Sequence, residues 1–346
     1  MFKLRGTLDK KQSIILSIIG IVLFLLIWLF FTGGEDPRIK TAVLPSPGKV
    51  ITAYGDLLAD NELVLNSTKS IGLNLSGYIL ALLFSIPLGF LIGLIPLFRG
   101  LFQRFVEAIR FIPLTATVGL FIIWFGIGVF MKSTFMAFGI FIFLLPVVVQ
   151  RIDEVKEVYL KTVYTLGATD WQTVITVYIP SVLSRVWDDI RIMTAISWTY
   201  IVFVEMIASD GGLGALTFVG RRTGRPDKVW AVLILIILIG VFQDRLFAYM
   251  DRKLFPYKYQ TKGKYDHTSK DQKESTLEVI GDYTWMVFLW ILLAIYIVLA
   301  LDELFGILGN INFISYAFGD TSWVIHFIFV TVIGFKGYSL FKSKNS

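Results

Sequence analysis

Long uncharged runs alternate with short charged ones along this chain, and their spacing predicts a series of membrane-crossing helices. Residues 13–31 form the first run, 19 positions without a charge. At about 1.5 Å per residue, that length matches the roughly 30 Å hydrocarbon core of a bilayer. Lys3, Arg5, Lys10 and Lys11 precede the run, and it ends in FFTGGEDP rather than a small-residue cleavage site. It is read as a retained span with a cytoplasmic N-terminus. Uncharged or nearly uncharged runs follow at 70–98, 111–131, 133–150, 192–209 and 229–243. Pro87, Gly89 and Gly93 predict a bend in the first of these, 70–98. Together the runs predict a six-span block with both ends cytoplasmic. A charged segment, YKYQTKGKYDHTSKDQKEST at 257–276, predicts a flexible linker. Two more apolar runs, 283–301 and 321–335, predict a hairpin whose basic tail returns to the cytoplasm. The expected fold class is therefore all-α integral membrane, about eight spans. Its domains are a six-span block at 1–256, a linker at 257–276 and a C-terminal transmembrane hairpin at 277–346.

Composition agrees with that pattern. Hydrophobic residues make up 55% of the 346 and charged residues 17%. Soluble domains run to roughly 45–50% and about 25% respectively. The net charge of +6 comes from basic residues that flank apolar runs and form no stripe. The positive-inside rule accounts for them without nucleic acid. Arg221, Arg222, Arg225 and Lys228 run against the rule, because the assignment puts them outside. The absence of cysteine excludes disulfides and thiolate metal sites, and His267 and His326 alone do not make a metal centre.

The charged interruption at 151–191 holds one unusual stretch, LGATDWQTVITVYIP at 166–180. Helix formers lead up to Gly167, which falls where a left-handed C-terminal cap belongs. Thr169 or Asp170 then caps a new helix starting near Trp171. Trp171, Val174, Ile175 and Tyr178 share one face of it. Pro180 suits the first turn of the next helix. The stretch thus predicts a short helix held between a glycine joint and a proline joint. It contains no catalytic constellation. A short helix so held docks a partner and passes on rigid-body motion, or lies on the bilayer as a plain connector.

The stretch resembles the cytoplasmic coupling loop of ABC-importer permeases, whose pattern is E-A-A, three residues, G, nine residues, I-x-L-P. Gly167 and Pro180 match its glycine and proline, and Val177 and Ile179 take the aliphatic positions. The E-A-A element departs: Lys161, Thr162 and Val163 stand there, and the nearest acidic residue is Glu157, one turn earlier. Three further segments resemble the nitrate/sulfonate/taurine type: LPSPGKV, FIPLTATVGLFIIWFGIG and SWTYIVFVEMIASDGGLG. The resemblance covers residues 40–256 and implies a type I importer permease core, to which the hairpin is an addition. It implies cytoplasmic ABC ATPase subunits, an extracytoplasmic solute-binding protein and a second permease copy as partners in the cell inner membrane. It further implies that Glu157, Gly167, Ala168, Thr169, Asp170, Trp171, Val177, Ile179 and Pro180 form the ATPase-coupling loop. The transported solute would be small and of the nitrate, sulfonate, taurine or bicarbonate kind. The chain carries no G-x-x-x-x-G-K-[ST] loop, so no nucleotide is expected on it; ATP and Mg belong to the partner.

Glu205 is an acidic residue deep in a predicted span, which lines the pathway or a gate, or else is hydrated or paired near the interface. Trp124, Phe125, Gly126 and Gly128 form a pathway wall or ordinary helix packing. Asp188, Asp189 and Arg191 form either an ATPase contact or a local ion-pair cluster, and Arg221, Arg222 and Arg225 attract an anion or are simply solvated. The main rival is an ion- or proton-coupled secondary carrier or channel, which calls for repeated halves and several intramembrane charges. A membrane enzyme calls instead for clustered acid–base residues.

Overall fold

The computed structural model describes residues 10–34, 37–59, 62–207, 211–260, 276–306 and 312–344. Most of the predicted linker, 261–275, lies outside them, as do Lys3, Arg5 and His267. Among the described residues every regular element is helical. In chain order these are α1 (Lys10–Thr32), α2 (Pro47–Ala59), α3 (Glu62–Leu94), α4 (Pro96–Ile109), α5 (Leu114–Phe125), α6 (Val129–Asp153), α7 (Glu157–Thr165) and α8 (Asp170–Thr173). A π-turn, Val174–Tyr178, joins α8 to α9 (Ile179–Ile207). Then come α10 (Leu213–Arg222), α11 (Pro226–Leu254), α12 (Tyr257–Gln260), α13 (Thr276–Phe305), α14 (Phe313–Phe318) and α15 (Ser322–Lys344).

Seven helical runs are long and apolar enough to cross a bilayer, and a bent pair of helices makes an eighth candidate. The bent pair corrects the predicted crossing at 111–131. In its place α4 and α5 meet at 108°, and α5 has only 12 residues. Pro113, extended at ψ 101, stands just before α5 and cannot continue a helix from α4. At the other end Gly126 stops α5, and the chain turns straight into α6.

A second correction concerns α9, which starts at Ile179 where the apolar pattern places the crossing at 192. The charges that seemed to end the span lie inside the helix because neighbours neutralise each of them. Arg151 pairs with Asp189 at 2.7 Å, Arg191 with Asp244 at 3.1 Å, and Lys258 with Asp188 at 2.7 Å. They form the local ion-pair cluster of the two readings above.

The chain divides into two compact units. One comprises residues 1–64 and 216–235. In it Trp28 donates its indole N–H to the Pro45 carbonyl at 2.9 Å and its ring meets Trp230 at 5.6 Å. Tyr54 donates to the Ala231 carbonyl, and Arg225 bridges Asp56 and Asp227. Arg225 is therefore committed to ion pairs within the chain.

The other unit comprises residues 65–215 and 236–346. Its core is built around α6, whose Met131, Phe135, Met136, Ile140 and Val148 are fully buried. Tyr78 and Ala81 of α3 and Val182, Val186 and Ile201 of α9 pack into the same cluster. The C-terminal hairpin docks on α3, where Thr68 Oγ1 donates to the Ala317 carbonyl at 2.6 Å. Within the hairpin, Tyr296 stacks on Phe329 and hydrogen-bonds His326.

Candidate functional site

The glycine joint forms as its residues dictate. Gly167 adopts φ +83, and two backbone bonds close a Schellman motif around it. Gly167 N–H donates to Tyr164 O at 3.0 Å and Ala168 N–H to Val163 O at 3.1 Å. Thr169 and Gln172 then make a reciprocal capping box that starts α8. Tyr164 reaches across the joint to Asp170 at 2.9 Å, and that carboxylate holds its phenol above the ordinary pKa.

The proline joint does not form as a break. The π-turn precedes Pro180, with Ile179 N–H donating to Val174 O. Its wider turn absorbs the site where proline lacks a donor and its ring would strike the carbonyl four residues back. The helical run therefore continues from Asp170 to Ile207, 38 residues or about 57 Å. That exceeds the roughly 30 Å hydrocarbon core, so α8 projects from the membrane as the rigid end of α9.

The residues that turn inward are Thr173 and Val177. The expected apolar face divides: Trp171 is 70% exposed and Ile175 also stands in the open, while Val174 and Tyr178 are half-buried and Tyr178 packs against the core. Leu166, 82% exposed, and Val158 and Tyr159 of α7 are exposed apolar side chains as well. Glu157 is engaged with Lys161, one turn on.

Glu205 sits in the opposite setting, 2% exposed. Its carboxylate accepts from Ser70 Oγ at 2.7 and 2.9 Å and from the Gly214 backbone at 2.8 Å. Ser70 Oγ in turn accepts from Leu213 N–H, and Asn66 accepts from Gly212 N–H. The group thus clasps the start of α10, whose first-turn N–H groups have no partner within the helix. Only glycine fits at 212, because a Cβ there would stand 2.2 Å from the Glu205 carboxyl.

Glu205 and Gly128 share a polar cavity of about 290 Å³, also lined by Lys69, Lys132, Asp320 and Thr321. Lys132 is 3% exposed. The apolar pattern treats Lys132 as a turn between spans; its buried place in the first turn of α6 escapes that reading. The signal was its charge, opposite to that of Glu205. Trp124 lies elsewhere, in an apolar cavity of about 740 Å³ walled by α3, α5 and α6. Gly126 caps α5 beside it. Of the four pathway candidates, Glu205 and Gly128 line one cavity, Trp124 lines the other, and Gly126 lines neither.

Residues 85–256 match the family of binding-protein-dependent transport system inner membrane components. A putative ABC transporter permease of Methanocaldococcus jannaschii is 30% identical over 262 residues, covering 74% of this chain and 96% of the relative. The chain belongs to this permease family. The taurine transport system permease of Escherichia coli is 27% identical, over 74% of this chain and 94% of its own length. The nitrate import permease of Synechococcus elongatus is 24% identical, over 71% and 92%. The permease is thus an importer-type transport subunit of the cell membrane. The family match ends at residue 256, before α12 and the hairpin.

Proposed function

We propose that this permease forms the pathway of an ATP-driven importer and takes its power stroke through α8 from a separate cytoplasmic ABC ATPase. The observation that carries this reading is the set of exposed apolar side chains at the end of a 38-residue helical run: Leu166 just before the Schellman joint, Trp171 between that joint and the π-turn, and Ile175 within the π-turn. Apolar side chains on a projecting helix find cover in a partner's groove. ATP and Mg act on that partner. The coupling residues are Glu157, Gly167, Ala168, Thr169, Asp170, Trp171, Val177, Ile179 and Pro180, with both chain termini on the same cytoplasmic side. Glu205 acts here as a buried clasp, while Gly128 lines the polar cavity with it.

An extracytoplasmic solute-binding protein delivers the solute, and a second copy of this chain completes the pathway. The solute is a small molecule or ion bearing an anionic group, of the nitrate, sulfonate, taurine or bicarbonate kind, and the relatives named for taurine, sulfonates and nitrate support that class. The test is affinity purification from the native membrane, comparing the parent with a variant carrying both Ala168→Asp and Trp171→Asp. An ABC ATPase recovered with the parent, and reduced at least about tenfold with the variant at equal membrane level, is the expected result. An active transporter that never recovers an ATPase moves the reading to a secondary carrier.

A further inference from the structure

Three residues of α12, Tyr257, Lys258 and Tyr259, just past the family match, bind the lever of the coupling loop to the neighbouring helix. Lys258 Nζ donates to both carboxylate oxygens of Asp188 on α9, at 2.7 and 2.8 Å, and to those of Asp251 on α11, at 3.1 and 3.3 Å. It also reaches the Ser184 carbonyl at 3.1 Å. Asp251 is fully buried, so breaking this pairing leaves its carboxylate without a counter-charge. Tyr259 donates to the same carboxylate, and burial together with that bond pushes its phenol up to about 12, which keeps it a donor at neutral pH. Tyr257 donates to the Pro180 carbonyl at 2.7 Å, right at the junction of the π-turn and α9.

Three more ties run along the same pair of helices. Trp187 donates to the Phe247 carbonyl, Trp198 donates to the Gln243 side chain at 2.9 Å and Arg191 pairs with Asp244. Those three join groups already on α9 and α11. Lys258 differs because it inserts a third element between two carboxylates that would otherwise repel.

We infer that Lys258 is a positioning residue, and that α12 is a brace making the α8–α9 lever and α11 move as one body. A push on α8 then reaches α11 without loss in a flexible joint. The inference rests on the coupling reading above.

The chain has no cysteine, so spin labels at Thr176→Cys and Arg245→Cys on one permease copy, with the second copy unlabelled and the partner subunits made cysteine-free, report the lever-to-α11 distance without background. The measurement is made by pulsed electron resonance on the purified full-chain complex, nucleotide-free and trapped with ADP and vanadate. In the otherwise unaltered chain and in Lys258→Arg, one narrow distance distribution is expected, with the same centre in both states. In Lys258→Met the distribution should be about twice as wide without nucleotide, and its centre should move on trapping, with ATPase recovery unchanged. Tyr257→Phe, which keeps the ion pair, should broaden it in the same direction by less.

A Lys258→Met distribution as narrow as the parent's in both states overturns the brace. If that variant does not accumulate, parent-like width in Tyr257→Phe overturns it. Failure of the coupling reading shows separately, as a parent complex that contains no ATPase, and the nucleotide-free comparison still judges the brace.

Discussion

Trp171 and Glu205 lie on one continuous helical run and reverse the usual rule of burial. The tryptophan is exposed where the run projects from the membrane, and the glutamate is buried where the run crosses it. The glutamate's position is explained entirely within the chain: Ser70 and the Gly214 N–H satisfy it, and it caps α10. Nothing among the described residues covers the tryptophan. A buried polar group whose bonds are met is evidence of architecture. An apolar surface left open at the end of a rigid helix is evidence of a partner. The two ends teach that the unusual residue is not always the functional one.

Substitutions sharpen this contrast, and the greatest loss of stability is expected at the clasp. Glu205→Leu removes the acceptor for Ser70 and Gly214, about 1–3 kcal/mol for each buried group left unpaired. Thermal unfolding in detergent should therefore show roughly 2–6 kcal/mol of destabilisation, and Glu205→Gln, which keeps one acceptor, clearly less. Gly167→Val forces a branched side chain into φ +83 and should cost about 1–2 kcal/mol, with partner binding weakened because the joint sets the angle of α8.

A smaller effect is expected from Glu154. Its hydrogen bond to Arg151 holds its carboxyl below the usual 4.5, with the nearby Arg185 adding to the effect. A depressed folded-state pKa gives stability that is present above 4.5 and lost as pH falls through the lower folded value. The unfolding difference between the parent and Glu154→Gln should accordingly be present at pH 7 and shrink below pH 4.5. Trp171→Ala should change stability least, within about 0.5 kcal/mol as for an exposed side chain, while ATPase recovery drops several-fold. A Trp171→Ala variant that unfolds early would break the comparison.

Much of the architecture was legible in the apolar pattern. The first span, read at 13–31, is α1 at Lys10–Thr32, and Gly167 and Thr169 announce the joint before α8 because capping is local chemistry; of the two caps offered, Thr169 or Asp170, the structure uses Thr169. Where the pattern misled, the cause was non-local. Asp188, Asp189 and Arg191 look like the end of a span until Lys258, Arg151 and Asp244 are seen beside them. Periodicity placed Trp171, Val174, Ile175 and Tyr178 on one face, yet it carries no information on what covers each of them, and the structure leaves Trp171 and Ile175 exposed while Val174 and Tyr178 are half-buried. The partner of Glu205 lies 135 residues away on α3, and no spacing rule reaches that far. Pro180 reads as a break because a π-turn has no sequence signature of its own.

The most direct test places a photo-crosslinking amino acid at position 171 in one sample and at 205 in another, in cells that carry the native transporter. The account predicts that illumination at 171 joins this chain to an ABC ATPase, while illumination at 205 gives only links within the chain. A label at 171 that captures lipid alone, with an ATPase present in the complex, would contradict it.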